Sequence, residues 1–261
     1  MRKRCLALFA ALALLLSGCG GPPAEPVAPA TILAETAPTT APTVIPETTE
    51  MPTESATLGH SGLREDGSFD EGTWFIGDSL TYYFVGYLLE NGLLGDMKFS
   101  AQCGSQVTAF FGGNILRNTG SVPCRFSPEF KGLEFQEAAR VLGEDARAIY
   151  ILWGTNFTYD GTAQDYIDIV DFLLENCPNA TIHLQLIPYG TPSYVFHETV
   201  NGRIREAYDQ YSQTGEERVI LIDTYTAIGD NTIDGVHLNP AGNAAWYQAI
   251  LDSAEAYDLI Q

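Results

Sequence analysis

Five short apolar runs, separated by stretches of helical spacing, constrain the fold of this 261-residue chain more than any other feature. Strands are predicted at residues 73–76, 96–100, 148–153, 180–187 and 218–222, and helices at 79–90, 164–175, 193–211 and 240–256. Because helices separate the strands, we expect right-handed crossovers and parallel strands. The sequence therefore predicts one α/β domain over residues 60–261, with a parallel five-stranded sheet and helices on both faces.

The first 18 residues have the layout of a secretory signal peptide. Three basic residues at positions 2–4 precede an apolar run over residues 6–16, which is shorter than the roughly 20 residues of a transmembrane helix. The run ends in Leu-Ser-Gly-Cys, which resembles the bacterial lipobox. We expect lipidation of Cys19, which would place the protein outside the cytoplasm, anchored in the cell membrane. An ordinary signal peptide followed by a chance cysteine is the alternative.

Residues 19–59 are rich in Pro, Thr, Ala and Glu and show no apolar periodicity. Such a composition cannot bury a core and is typical of an extended, partly polyproline II segment. At about 3.1 Å per residue, a fully extended segment of this length spans on the order of 100 Å. We expect a disordered tether that holds the domain away from the membrane.

The charge of the chain argues against nucleic acid as a partner. Thirteen Lys and Arg stand against 33 Asp and Glu, which gives a formal net charge of −20. Binding to nucleic-acid phosphates needs a basic face, and this composition does not predict one.

Three cysteines remain once Cys5 is assigned to the signal and Cys19 to the lipid: Cys103, Cys124 and Cys177. They lack the spacing of a metal site, and the chain has no P-loop or dinucleotide fingerprint. We therefore expect neither a metal nor a cofactor. The sequence leaves open whether Cys103 and Cys124 pair across a loop or remain buried thiols.

Gly77-Asp78-Ser79-Leu80 directly follows the first predicted strand and opens the first predicted helix. A serine at this place projects from the carboxyl edge of the sheet, and the helix N-terminus favours negative charge beside it. Ser79 is therefore a candidate nucleophile. A plain helix N-cap, for which Asp-Ser is well suited, is the alternative.

Asp234 precedes His237 by three residues on a turn that contains Gly235. A carboxylate at this spacing reaches the ring Nδ1, which fixes the tautomer and leaves Nε2 to act as base for a serine. A lone histidine before a helix is more often a surface residue, and the Asp-x-x-His pair favours the functional interpretation.

Two further segments supply candidate donors for an oxyanion. Asn156 ends Gly154-Thr155-Asn156 after the strongest strand, and Gly104 follows the weak second strand. An amide side chain or a backbone N–H at a strand end is suited to hold a developing negative charge. For Gly154-Thr155-Asn156 the alternative is an ordinary turn-forming loop, and Gly104 in isolation is a weak signal.

Together these four segments resemble the sequence blocks of the SGNH hydrolases, also called GDSL esterases and lipases. The resemblance places Ser, Gly, Asn and His of the blocks at Ser79, Gly104, Asn156 and His237, with Asp234 as the triad acid. It implies a flavodoxin-like three-layer α/β/α sandwich with neighbouring strands in the order 2-1-3. The third block departs from the family, because Phe157 follows Asn156 where Asp is usual.

The resemblance implies a serine esterase in which Ser79, Gly104 and Asn156 form the oxyanion hole. Thr81 follows Leu80, so the full Gly-x-Ser-x-Gly elbow of α/β-hydrolases is absent. We expect hydrolysis of short acyl esters, acetyl above all, on a small ester or an O-acylated glycan. An O-acetyltransferase with the same triad, or a degenerate glycan-binding module, are the alternatives.

Overall fold

Six strands form one sheet in the computed structural model, which describes residues 59–113, 115–117, 122–156, 161–188 and 197–259. The strands are β1 (Thr73–Gly77), β2 (Lys98–Gln102), β3 (Cys124–Phe126), β4 (Ala148–Leu152), β5 (Thr181–Gln185) and β6 (Val219–Ile222). The helices are α1 (Ser79–Glu90), α2 (Phe135–Leu142), α3 (Ala163–Asn176), α4 (His197–Thr214), α5 (Thr224–Ile228) and α6 (Pro240–Ala256). The predicted signal peptide, Cys19, the tether up to residue 58, and Phe157 lie outside the described residues.

The sheet has the order β3-β2-β1-β4-β5-β6, and all neighbours are parallel except β2 and β3. The predicted α/β class and its five parallel strands are confirmed. The prediction of a five-stranded sheet is wrong by one strand, because β3 adds an antiparallel edge. Three residues are too few for a periodic pattern, and β3 exists through its pairing with β2.

Helices cover both faces of the sheet, as the three-layer prediction requires. The chain order reverses at β1, so right-handed crossovers on its two sides place helices on opposite faces. α1 packs against α6, where the rings of Phe84 and Trp246 stack with centroids 4.0 Å apart. α2, α3 and α4 pack together on the other face, and Phe135 of α2 lies 4.9 Å from the ring of Trp153. The core is thus a layer of aromatic and aliphatic side chains on each side of the sheet.

Polar side chains fix where the long helices begin. Asp78 accepts a hydrogen bond from the Leu80 N–H at 3.0 Å and caps α1. Thr162 and Asp165 form a reciprocal capping box at α3, and Asn239 accepts from the Gly242 N–H at the start of α6. None of the helices in the described part of the chain has the length and apolar character needed to cross a membrane.

The amino edge of the sheet is closed by residues 59–63. The His60 N–H donates to Thr181 Oγ1, and the Tyr150 hydroxyl donates to the Ser61 carbonyl at 2.6 Å. The His183 ring stacks on Tyr150 at 4.2 Å, and its Nε2 lies 2.9 Å from the His60 carbonyl oxygen. Burial lowers the pKa of His183 to about 4, so this histidine is neutral at pH 7.

Candidate active site

Three loops leave the sheet side by side at its carboxyl edge. Gly77 at the end of β1 is in register with Ala101 of β2 and Leu152 of β4. The segments that follow these strands therefore start from the same edge, at the switch point where ligands bind in open α/β sheets. A Cβ at Gly77 would lie 2.1 Å from the Leu152 carbonyl oxygen, so this close approach admits no side chain.

A buried carboxylate ties the β1 loop to the β4 loop. Asp78 is fully buried, and its Oδ2 accepts the Thr155 hydroxyl at 2.6 Å and the backbone N–H groups of Thr155 and Gly154 at 3.2 and 3.4 Å. Burial raises the pKa of Asp78, and the hydrogen bonds that it accepts oppose this rise. Asp78 thus caps α1 and at the same time sets the position of the chain leading to Asn156.

Ser105 ties the β4 loop to the β2 loop. Its hydroxyl accepts the Trp153 indole N–H at 2.9 Å and donates to the Gln102 carbonyl at 2.7 Å. The Asn156 amide donates to the Ser105 carbonyl at 3.1 Å. Together with the Asp78 contacts, these bonds hold the three loops as one unit.

Ser79, His237 and Asp234 form a continuous chain of hydrogen bonds. Ser79 Oγ lies 3.0 Å from His237 Nε2, and His237 Nδ1 lies 2.8 Å from Asp234 Oδ2. An ionised carboxylate only accepts, so Nδ1 carries the ring proton and Nε2 accepts the serine hydroxyl. This is the arrangement of a Ser–His–Asp triad.

A tight loop supplies both the acid and the base. Asp234 Oδ1 accepts the backbone N–H groups of Val236 and His237 at 3.0 and 2.8 Å, and the Ile233 N–H donates to the His237 carbonyl. The hydrogen bond from the His237 side chain, followed by that from its backbone, lowers the pKa of Asp234 to about 2. Asp234 is therefore ionised at neutral pH although its side chain is 53% exposed.

The three candidate oxyanion donors lie on the loops that follow β1, β2 and β4. Ser79 is the first residue of α1, where a backbone N–H has no acceptor within the helix. Gly104 has a φ of +74°, a left-handed conformation that favours glycine, and within the described residues its N–H has no recorded acceptor. The Asn156 amide carries two N–H bonds, of which one is used by Ser105.

Cys103 and Cys124, whose pairing the sequence leaves open, lie just after β2 and at the start of β3. Cys124 is opposite Gln102 in the β2–β3 register, and the Cys103 N–H donates to the Pro123 carbonyl. Both are thiols in this structure, and burial raises the pKa of Cys124 to about 11. Among the described residues no group of three or more His, Cys, Asp or Glu side chains is placed to hold a metal ion.

Two tyrosines and an arginine on or next to α1 were not predicted from the sequence. The Tyr83 ring, 49% exposed, meets the His237 ring edge-on with centroids 5.2 Å apart. The Tyr82 ring lies 5.3 Å from that of Tyr83, and the Arg125 guanidinium lies over Tyr82 at 4.5 Å. Positions three and four residues after Ser79 on a predicted helix were the available signal for both tyrosines.

The comparisons with known proteins give weak likenesses. No protein-family model and no curated protein matches the sequence. A solved GDSL-like lipase from Parabacteroides merdae is 17% identical, over 77% of this chain and 99% of that chain, with a TM-score of 0.47. A carbohydrate esterase of family 3 from Talaromyces cellulolyticus is 18% identical, over 72% and 99%, with a TM-score of 0.47. A carbohydrate acetylesterase from Sinorhizobium meliloti is 15% identical, over 70% and 98%, with a TM-score of 0.45.

The chain resembles the SGNH hydrolases. It does so in its four sequence blocks and in its strand order, with the block residues placed after β1, β2 and β4 and before α6. At these identities and TM-scores the solved structures say nothing by themselves about activity. What the site can do follows from the distances between its own side chains.

Proposed function

We propose that this protein is an extracytoplasmic serine esterase that hydrolyses short acyl esters, with acetyl groups on carbohydrate as the expected class. The observation that carries the proposal is the unbroken chain from Ser79 Oγ to His237 at 3.0 Å and on to Asp234 at 2.8 Å. A nucleophile, a base and a carboxylate that orients the base are the parts that acyl transfer needs.

The proposed reaction starts with proton transfer from Ser79 to His237 Nε2 as Ser79 Oγ attacks the ester carbonyl. Asp234 stabilises the imidazolium that forms. The backbone N–H groups of Ser79 and Gly104 and the Asn156 side chain hold the oxyanion. The imidazolium then protonates the leaving alcohol, and an acyl-serine remains. Water, deprotonated by His237, attacks this acyl group. The imidazolium returns the proton to Ser79 Oγ as the acid is released.

The surroundings of the triad support a compact, sugar-like alcohol. Tyr83 presents a half-exposed ring beside His237, and an aromatic face of this kind packs against the apolar face of a sugar. The complete triad argues for turnover rather than glycan binding alone. Transfer to a sugar hydroxyl needs the same triad, so the acceptor decides between hydrolase and O-acetyltransferase.

Hydrolysis of p-nitrophenyl acetate, butyrate and octanoate by the full chain tests the proposal. We expect release to be fastest with acetate, and Ser79→Ala to lower turnover by about 10⁴-fold or more without changing the melting temperature. Ser212→Ala, on the exposed face of α4, is the matched control. Full activity of Ser79→Ala would refute the assignment. To separate a transferase from a hydrolase, a glycan acceptor is added and the amounts of acetylated glycan and free acetate formed are compared.

The location belongs to the same proposal. The Leu-Ser-Gly-Cys sequence at residues 16–19 and the Pro- and Thr-rich segment after it support a lipid anchor on Cys19 and a tether. Expression in a bacterium that processes lipoproteins should give palmitate labelling and membrane association. Cys19→Ala should abolish both, and Cys5→Ala, the matched control, should alter neither. Labelling that survives in Cys19→Ala would rule out this anchor.

A further inference from the structure

One face of α1 continues outward from the nucleophile. Ser79, Tyr82, Tyr83 and Gly86 are spaced at i, i+3, i+4 and i+7, which places them on the same side of the helix. The two tyrosine rings meet edge to face at 5.3 Å, and Tyr83 also meets His237. An aromatic surface therefore reaches from the catalytic histidine along the first turns of α1.

Arg125 of β3 lies on this surface. Its guanidinium carbon is 4.5 Å from the centre of the Tyr82 ring, a cation–π contact. Gly86 makes room for it, since a Cβ there would lie 3.2 Å from both terminal nitrogens of the guanidinium. The planar guanidinium thus packs on the Tyr82 ring and occupies the space left by the absent side chain of Gly86.

The guanidinium has no acidic partner in the part of the chain that the structure describes. Arg64, Lys98 and Arg218 each pair with a carboxylate, at 2.7, 2.9 and 2.7 Å. No carboxylate or other acceptor is recorded for Arg125 among the same residues. Although the chain has 33 acidic and 13 basic side chains, the N–H donors of Arg125 are available to a ligand, on the helix face that begins with Ser79.

The charge of Arg125 also reaches the loop of the candidate oxyanion hole. Burial raises the pKa of the Cys103 thiol, as does the charge of Asp78, while the charge of Arg125 lowers it. Cys103 directly precedes Gly104, and both follow β2. Arg125 is in register with Ala101 of β2. Arg125 therefore lies next to β2, the strand that leads into the loop of Gly104.

We propose that Arg125, supported by Tyr82, binds a carboxylate on the alcohol part of the ester, so that the preferred substrate is an acylated sugar acid of the uronate class. The inference rests on the proposed esterase function. A planar guanidinium matches a carboxylate in two parallel hydrogen bonds. The net charge of −20 makes the surface as a whole repel long polyanionic substrates. We therefore expect the ligand of Arg125 to be a single carboxylate close to the ester.

The test compares two acetylated sugars that differ in one group: an O-acetylated methyl glucuronoside and the corresponding glucuronamide, whose carboxylate is replaced by a neutral amide. The readout is the ratio of their kcat/KM values for acetate release by the full chain. We expect the wild type to favour the acid by about tenfold or more, a preference that weakens with salt. Arg125→Gln should bring the ratio to about one. Arg205→Gln, on the exposed side of α4, removes the same charge elsewhere and should keep the wild-type ratio.

A wild-type ratio near one, or a preference that persists in Arg125→Gln, would overturn the inference. Failure of the proposed function is a separate result, because it would show as the absence of Ser79-dependent hydrolysis of p-nitrophenyl acetate. In that case the Ser79→Ala protein still reports on the subsite by NMR titration with non-acetylated methyl glucuronoside and glucuronamide. Tighter binding of the acid that Arg125→Gln removes supports the subsite, and equal binding of both sugars refutes it.

Discussion

The two edges of the same sheet each hold a histidine, and the two histidines are built in opposite ways. At the carboxyl edge, His237 lies in a loop, with a 34% exposed side chain between Asp234 and Ser79. At the amino edge, His183 lies within β5, 1% exposed, stacked on Tyr150 and bonded to a backbone carbonyl. Burial holds the second ring neutral, whereas the first ring lies between a carboxylate and a hydroxyl. In the proposed esterase, the carboxyl edge carries the proton transfer, while the histidine at the amino edge packs in the core.

The two aspartates of the carboxyl edge differ in the same sense. Asp78 is buried and holds the loops through bonds to Thr155 and Leu80. Asp234 is half exposed and holds one ring. The buried carboxylate therefore holds the framework of the site, and the partly exposed one orients the histidine of the proposed triad.

The largest expected effect separates the two histidines. His237→Gln should lower kcat/KM by about 10⁴-fold, because the base is lost. It should lower the unfolding free energy less than His183→Gln does, because the His237 side chain is partly exposed. His183→Gln should lower the unfolding free energy by about 1–3 kcal/mol and leave kcat within a few fold. Ester hydrolysis and urea unfolding of both variants measure this. A His183→Gln protein that is stable but inactive would contradict the division between the edges.

Substitution by Asn should distinguish the two aspartates, with a smaller difference in kcat than that between the two histidine variants. Asp234→Asn should lower kcat by about 10³-fold, since an amide favours the wrong ring tautomer. It should lower stability less than Asp78→Asn does, because the Asp234 side chain is 53% exposed. Asp78→Asn should lower the unfolding free energy by about 1–3 kcal/mol, because the amide replaces an oxygen that accepts the Thr155 hydroxyl and backbone N–H groups. Equal losses of stability in both variants would remove the distinction between framework and reacting group.

Asn156 and Ser105 test the comparison within the loops. Asn156→Ala should lower kcat by about 10²-fold with little change in KM, the result of losing one oxyanion donor. Ser105→Ala keeps the carbonyl that Asn156 contacts and loses the bonds to Trp153 and Gln102. We expect it to lower kcat by less than tenfold. Steady-state kinetics on p-nitrophenyl acetate measure kcat for both variants. A larger loss of kcat in Ser105→Ala than in Asn156→Ala would contradict the assignment of Asn156 as the oxyanion donor.

The smallest expected effect is a difference in the pH at which each edge loses stability. The pKa of His183 is about 4 in the fold against 6.5 in the unfolded chain. Its neutral ring thus favours folding above pH 6.5, and this contribution falls, by on the order of 3 kcal/mol, as the pH drops from 6.5 to 4. The pKa of Asp234 is about 2 against 3.8, so its contribution is present above pH 3.8 and is lost as the pH falls through 2.

Urea unfolding of the wild type from pH 7 to pH 2.5 measures both windows. His183→Gln should flatten the stability profile between pH 6.5 and 4, and Asp234→Asn should flatten it below pH 3.8. A profile of His183→Gln that still falls with the wild-type slope between pH 6.5 and 4 would place the titrating group elsewhere.

Much of the fold follows from local pattern. The predicted helix at 79–90 coincides with α1, and that at 240–256 with α6, because a capping side chain and an apolar face mark each of them. The helix predicted at 193–211 is observed as His197–Thr214, and residues 193–196 lie outside the described part. The short β3, α2 and α5 were missed, since pieces of three to eight residues are defined by their partners in space rather than by a period.

The candidate site divides in the same way. Ser79, His237 and Asp234 could be singled out because each lies in a short segment whose spacing has a chemical meaning. The link from Asp78 to Thr155, and that from Asn156 to Ser105, join residues 77 and 51 positions apart. Arg125 is in the antiparallel β3, which the sequence did not predict. Contacts of this kind depend on the strand order, and no local pattern reports them.

The short antiparallel edge strand has a consequence for the behaviour of the protein at high concentration. A sheet margin with unpaired backbone groups is a template on which another chain can add a strand. Here one margin is β3, with three residues, and the other is β6, with four. Edge strands this short offer few backbone hydrogen bonds to a strand of another chain. The excess of negative charge also repels a second copy of the domain. We expect the domain to stay dispersed at high local concentration.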